Sequence, residues 1–141
     1  DHAIELNPHF PHAYFILSLV QENLGDIEEA LAALLRGAEL APKSPRLIAA
    51  LGRARARAGR RDDAVRGLAE LDELARTRHV SAWERAILYL GMKDVDRCFE
   101  QLLLAYQDRF FDLTLLGVDP RFDELRGDKR FDELLERVGI R

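Results

Sequence analysis

The chain has 141 residues, 48% of them hydrophobic and 33% charged, which suits one water-exposed domain with its own core. A formal net charge of −4 offers no global positive field for nucleic acid or an anionic membrane. The lone cysteine, Cys98, excludes an internal disulfide framework and a multi-cysteine zinc site, and fits a reducing, cytoplasmic setting. No apolar run approaches the roughly 20 residues of a membrane span, and no signal-peptide pattern opens the chain.

Reading from the N-terminus, a helix is expected to end near Asn7. Between Pro11 and Leu24, Tyr14, Leu17, Val20 and Leu24 keep helical spacing, and Gly25-Asp26 then supplies a stop and an N-cap. Ile27, Ala30, Leu31, Leu34, Leu35 and Ala38 carry a second helix to Ala41-Pro42. The same signals return: "AIELNP" at 3–8 reappears as "GAELAP" at 37–42, and "LGDIEEAL" at 24–31 as "AGRRDDAV" at 58–65 and "MKDVDRCF" at 92–99. Each step is 34 residues, a period that marks a repeat architecture. The expected helix pairs are 11–24 with 27–41, 45–58 with 61–76, and 80–91 with 95–108. Such a pair has two apolar faces and must stack on neighbours. Because the chain starts at Asp1 inside such a unit, it is expected to be a piece of a longer protein.

The tail carries Arg-Phe-Asp-Glu-Leu twice, at 121–125 and 130–134. Nine residues are two and a half turns, so one continuous helix would set Phe122 and Phe131 on opposite faces. A break at Gly127 resolves this. Asp119 and Asp128 can then each cap a short helix, and Phe122 with Leu125, and Phe131 with Leu134, Leu135 and Val138, form apolar stripes. Asp123, Glu124, Asp132 and Glu133 fall off those stripes and read as a solvated face rather than paired catalytic carboxylates.

The 34-residue register resembles that of tetratricopeptide repeats. Tyr14, Leu17, Ala30, Leu34 and Pro42 sit at signature positions in the first copy, Leu51, Gly52, Ala64 and Leu68 in the second, and Tyr89, Leu102 and Ala105 in a degenerate third. Ser18, Arg55, Arg76, Cys98 and Phe110 depart from the pattern. The resemblance implies an all-α, right-handed superhelix of antiparallel helix pairs with a helical cap. Its divisions would be a remnant of an upstream repeat at 1–10, repeats at 11–44, 45–78 and 79–112, and capping helices at 113–141. The tail is similar to endings that follow such arrays in multidomain bacterial signalling and regulatory proteins.

No constellation suggests an enzyme, and no cofactor or metal is expected. His9 and His12 flank Pro11 without a cysteine or carboxylate to complete a tetrahedral set. His79 lacks triad partners, Cys98 holds a small-residue core position, and Gly52–Gly59 is no phosphate loop. The run "GRARARAGRR" at 52–61 reads either as a solvated surface paired with Asp62, Asp63 and Glu70 or as a seat for an anionic peptide. Nucleic acid would need more basic residues and interleaved aromatics. The resemblance places the first helix of each pair on a concave face, lined by His12, Phe15, Leu19, Glu22 and Asn23, then Arg46, Ala49, Arg53 and Arg57, then Val80, Trp83, Ile87 and Leu90. That groove suits a peptide with apolar anchors and an acidic centre. Trp83 is either a binding anchor or a packing residue, for instance against segment 109–116. The expected function is non-catalytic protein or peptide binding, with no nucleic-acid or membrane role. The alternative is a homodimer scaffold through an apolar N-terminal edge that includes Ile4, Leu6 and Phe10.

Overall fold

A computed structural model describes residues 11–108 and 120–138. The expected helix ending near Asn7, Asp119 and the segment 109–116 lie outside them. The described residues are all-α, with no strand among them. The helices are α1 (Pro11–Asn23), α2 (Ile27–Leu40), α3 (Pro45–Arg57), α4 (Arg61–Ala75), α5 (Ala82–Gly91), α6 (Val95–Gln107) and α7 (Lys129–Val138), with a 3₁₀ turn at Pro120–Leu125 before the last. The boundaries of α1 to α6 fall within two residues of those expected. The first short helix of the tail is of the 3₁₀ type.

Local chemistry accounts for the breaks. The turns inside the three pairs each hold a left-handed residue at the same register: Gly25 (φ 83°), Gly59 (φ 95°) and Lys93 (φ 60°). Glycine adopts that conformation without a Cβ penalty, whereas Lys93 does so at a cost of roughly 1 kcal/mol. Asp26 Oδ1 then accepts from Glu29 N at 3.2 Å, and Asp94 Oδ1 from Arg97 N at 3.3 Å, capping α2 and α6. Gly127 (φ 92°) separates the two tail segments, and Asp128 caps α7 by accepting from Arg130 N at 2.9 Å.

Consecutive helices pack as α1 on α2, α3 on α4 and α5 on α6. The pairs join through α2 on α3, α3 on α5 and α4 on α5, and α7 lies on α6. Small residues allow the close crossings. A Cβ on Gly91 would stand 2.7 Å from Arg53 Cα, so α5 meets α3 backbone to backbone and holds the base of Arg53 in place. One core cluster, around Phe15, Leu34, Leu47, Ala50 and Ala54, joins the first pair to α3. A larger one runs from Ala49, Ala64 and Leu71 through Trp83, Ile87, Leu88 and Leu102 to Phe122, Leu125, Phe131 and Leu134 of the tail. Burying those tail anchors contributes about 1.5–3 kcal/mol each, which is why both halves of the tail stay on the helical body.

Candidate functional site

The site grows from one face of α3. Arg46, Arg53 and Arg57 recur at spacings of seven and four, so their side chains leave on the same side, towards α1. Arg46 comes within 3.4 Å of His12 Nδ1 through Nη1 and sets its guanidinium 5.3 Å from the centre of the Phe15 ring. Arg53 Nη1 donates to Glu22 Oε1 at 2.6 Å. Arg57 Nη1 donates to Glu124 Oε2 at 2.9 Å, linking the inner helix to the 3₁₀ turn. From that turn Arg121, itself buried, reaches the other way and lies 5.6 Å from the Phe15 ring centre. Phe15 thus meets two guanidinium groups, each an attractive cation–π contact.

Between α1, α3 and the 3₁₀ turn is a cavity of about 250 Å³, lined by Leu19, Glu22, Asn23, Arg53, Arg57, Arg121, Asp123 and Glu124. Arg53 is the least solvated charge in its wall, only 4% exposed. Burial pulls its pKa down from the ordinary arginine value. Glu22 opposes that pull, and Arg121 and Arg57 add to it. The group remains a cation at any accessible pH. Its Nε is buried with no hydrogen-bond partner.

Of the expected groove residues, His12, Leu19, Glu22, Asn23, Arg46 and Arg57 are fully or partly accessible, and Phe15 and Arg53 are buried beneath them. Trp83 and Ile87 are not open groove residues. Ile87, Ala49 and Leu90 are fully buried, and Val80, in the same core cluster, is nearly so. Trp83 is covered because Phe122 seats against the indole, ring centres 5.1 Å apart and planes tilted by 52°. It therefore packs internally, against the 3₁₀ turn; segment 109–116 lies outside the described residues. The arginine partners also differ from expectation. Glu22 and Glu124 replace Asp62, Asp63 and Glu70, and Asp63 pairs instead with Arg66 at 3.2 Å. Arg121 and Glu124 had no signal in the sequence as site residues, because Glu124 lies 67 residues from the arginine it meets.

Of the other candidates, Cys98 and His79 do not line this cavity. Cys98 is fully buried, and burial pushes its thiol up to about 12, so it is an inert core residue at neutral pH. His79 is exposed in the loop before α5, and His9 lies outside the described residues. Among the described residues no group of three or more His, Cys, Asp or Glu side chains converges on a point that could hold a metal ion. No helix among them is long and apolar enough to cross a membrane. In comparisons with known proteins, no family model matches the sequence and no curated protein matches it.

Proposed function

We propose that this chain is a non-catalytic protein–protein interaction module, the C-terminal end of a tetratricopeptide-like solenoid serving a larger cytoplasmic bacterial regulatory or signalling protein. Its partner is a peptide or domain that brings acidic and apolar residues to the inner face of α1 and α3. The observation that carries this reading is the row of arginines on one side of α3: Arg53 and Arg57 share a cavity wall with Leu19 and Asn23 of α1, and Arg46 lies further along, against His12 and Phe15. A cationic concave wall with an apolar margin complements an acidic peptide in charge and shape. Selection of a random peptide library on this chain tests it. Peptides enriched in Asp or Glu flanked by aliphatic residues are expected, and the enrichment should vanish on a chain carrying Arg46→Glu and Arg57→Glu. Equal enrichment on both chains, or none on either, would sink the proposal.

A second reading, self-association, is favoured by one specific feature. Ile16 and Val20 of α1, and Leu24 just beyond its end, are 46%, 50% and 76% exposed. The residues 34 positions after the first two, Ala50 and Ala54, are buried against the preceding pair. That correspondence supports reading the stripe as a surface for another helix pair, from an upstream repeat or a second copy. Sedimentation equilibrium at several concentrations, compared with Val20→Glu, distinguishes the two. A concentration-dependent dimer abolished by the substitution supports self-association, and a strict monomer rejects it.

A further inference from the structure

The first copy of Arg-Phe-Asp-Glu-Leu does more than cover an end of the helical body. Its 3₁₀ turn, Pro120–Leu125, touches the first helix of each of the three pairs. Arg121 lies over Phe15 of α1 at 5.6 Å, Glu124 accepts from Arg57 of α3 at 2.9 Å, and Phe122 seats against Trp83 of α5 with ring centres 5.1 Å apart. These are the helices whose inner sides the repeat resemblance assigns to a bound peptide, and a stretch of this chain already lies there. The turn is held to them by its side chains. The backbone hydrogen bonds at its end stay local, from Arg126 N to Asp123 O and from Asp128 N to Leu125 O, and among the described residues none joins it to α1, α3 or α5. A seat made by side chains alone accepts any segment that brings the same side chains, with no backbone ladder to reproduce. One end of it is deep and the other open. Phe122 is fully buried and Arg121 nearly so, whereas the Glu124 and Arg57 side chains are 34% and 35% exposed beside the cavity.

We infer that this turn is an internal ligand. The inner sides of α1, α3 and α5 form a seat for a short protein segment in which an arginine precedes a phenylalanine and an acid follows two residues later. Residues 120–125 occupy that seat until a partner segment of the same chemistry displaces them. The inference rests on the interaction-module reading and narrows its partner. Each position has a physical reason: the phenylalanine buries its ring beside the Trp83 indole, the arginine lies over the Phe15 face, and the acid pairs with Arg57 at the accessible end, where exchange begins. Helix α7 has its own buried anchors, Phe131 and Leu134, beyond the break at Gly127, so it stays docked when the turn leaves. Because the turn belongs to the chain, an external segment competes with an effective concentration on the order of millimolar, which closes the seat to poorly matched segments.

The test uses the full chain and a blocked peptide copying residues 119–127. Calorimetry gives the affinity, and the fluorescence of the single tryptophan, Trp83, reports the seat. Phe122→Ala empties the seat at its deepest point. The peptide should therefore bind this variant at least about tenfold tighter than the wild-type chain and return the Trp83 emission towards the wild-type spectrum. The same peptide with alanine in place of its phenylalanine should do neither. Arg57→Glu alters only the accessible end, and so decides the matter should Phe122→Ala not fold. It should prefer, by about threefold or more, a peptide with arginine at the position of Glu124, while the wild-type chain keeps the opposite order. No binding to a folded Phe122→Ala chain, equal binding of the alanine peptide, or an unreversed preference on Arg57→Glu would each overturn the inference. Acidic peptides selected from the library and lost on the chain carrying Arg46→Glu and Arg57→Glu, with no binding of the 119–127 peptide to Phe122→Ala, would leave the interaction module standing while the internal ligand falls.

Discussion

The two copies of Arg-Phe-Asp-Glu-Leu are one pentapeptide in two environments. In both, the phenylalanine is fully buried and the leucine nearly so. In both, the arginine lies over a phenylalanine of an earlier helix: Arg121 over Phe15 at 5.6 Å and Arg130 over Phe99 at 4.5 Å. The backbone is not shared, being 3₁₀ in the first copy and α-helical in the second. Nor is the solvent: Arg121 is 8% exposed, whereas the Arg130 side chain is 47% exposed and paired with Asp96 and Asp128. The apolar pair three residues apart is therefore what the motif encodes. A 3₁₀ turn and an α-helix both bring positions i and i+3 to one side, so either can bury the pair.

If the anchors are equivalent, truncating either should be equally damaging, and this is the largest effect expected. Phe122→Ala and Phe131→Ala should each cost about 3–5 kcal/mol, from lost transfer energy and the cavity left behind. Urea unfolding followed by circular dichroism measures it. Cys98 supplies a second reading, because its buried thiol is reached by a disulfide reagent only when the core opens, and both variants should speed its labelling. A Phe122→Ala chain as stable as wild type would break the equivalence and reduce the 3₁₀ turn to a loosely held flap.

How much of this was readable beforehand depends on whether the cause is local. The helix pairs were legible because apolar spacing, Gly25, Gly59 and the capping aspartates act within a few residues of the chain. The tail anchors were legible for the same reason: Phe-x-x-Leu is a local pattern, and Gly127 marks the break between the copies. The site was only half legible. The α3 arginines announce a cationic face, but no acid stands three or four residues from any of them, and the actual partners, Glu22 and Glu124, arrive through packing. Trp83 shows the limit most sharply, since an aromatic on an inner stripe carries the same signal whether a ligand or the chain's own Phe122 covers it.

The arginines should separate the copies where the phenylalanines do not. Arg121→Ala removes a desolvated cation–π contact and the packing of a buried stem, an expected loss of about 1–2 kcal/mol. Arg130→Ala acts at the surface, so its effect on the unfolding midpoint should be distinctly smaller. Equal losses would mean that burial is not what distinguishes them. Next in size is Gly127→Ala. Nothing lies near enough to clash with an added Cβ, so the substitution isolates the backbone term of holding φ at 92° with a side chain, about 1 kcal/mol. A neutral result would show that the junction between the copies relaxes freely.

The smallest effect belongs to the aspartate cap of the second copy. Arg130 holds the Asp128 carboxyl below the ordinary carboxylate range, first by its side-chain hydrogen bond and then by its backbone N–H. The folded pKa is depressed relative to the unfolded value of about 4. The cap's contribution is therefore complete above about pH 4 and is lost as pH falls through the folded value. Because the pair is at the surface, the consequence is fraying of the first turn of α7, not global unfolding. Amide exchange at Arg130, Phe131 and Asp132 should accelerate below pH 4 while Trp83 fluorescence, which reports the first copy's anchor, stays constant. Asp128→Asn keeps an acceptor for the N–H groups but loses the charge, so it should flatten this pH dependence while the helix start persists. If both signals moved together on acidification, the two copies would form one cooperative unit and the comparison between them would collapse.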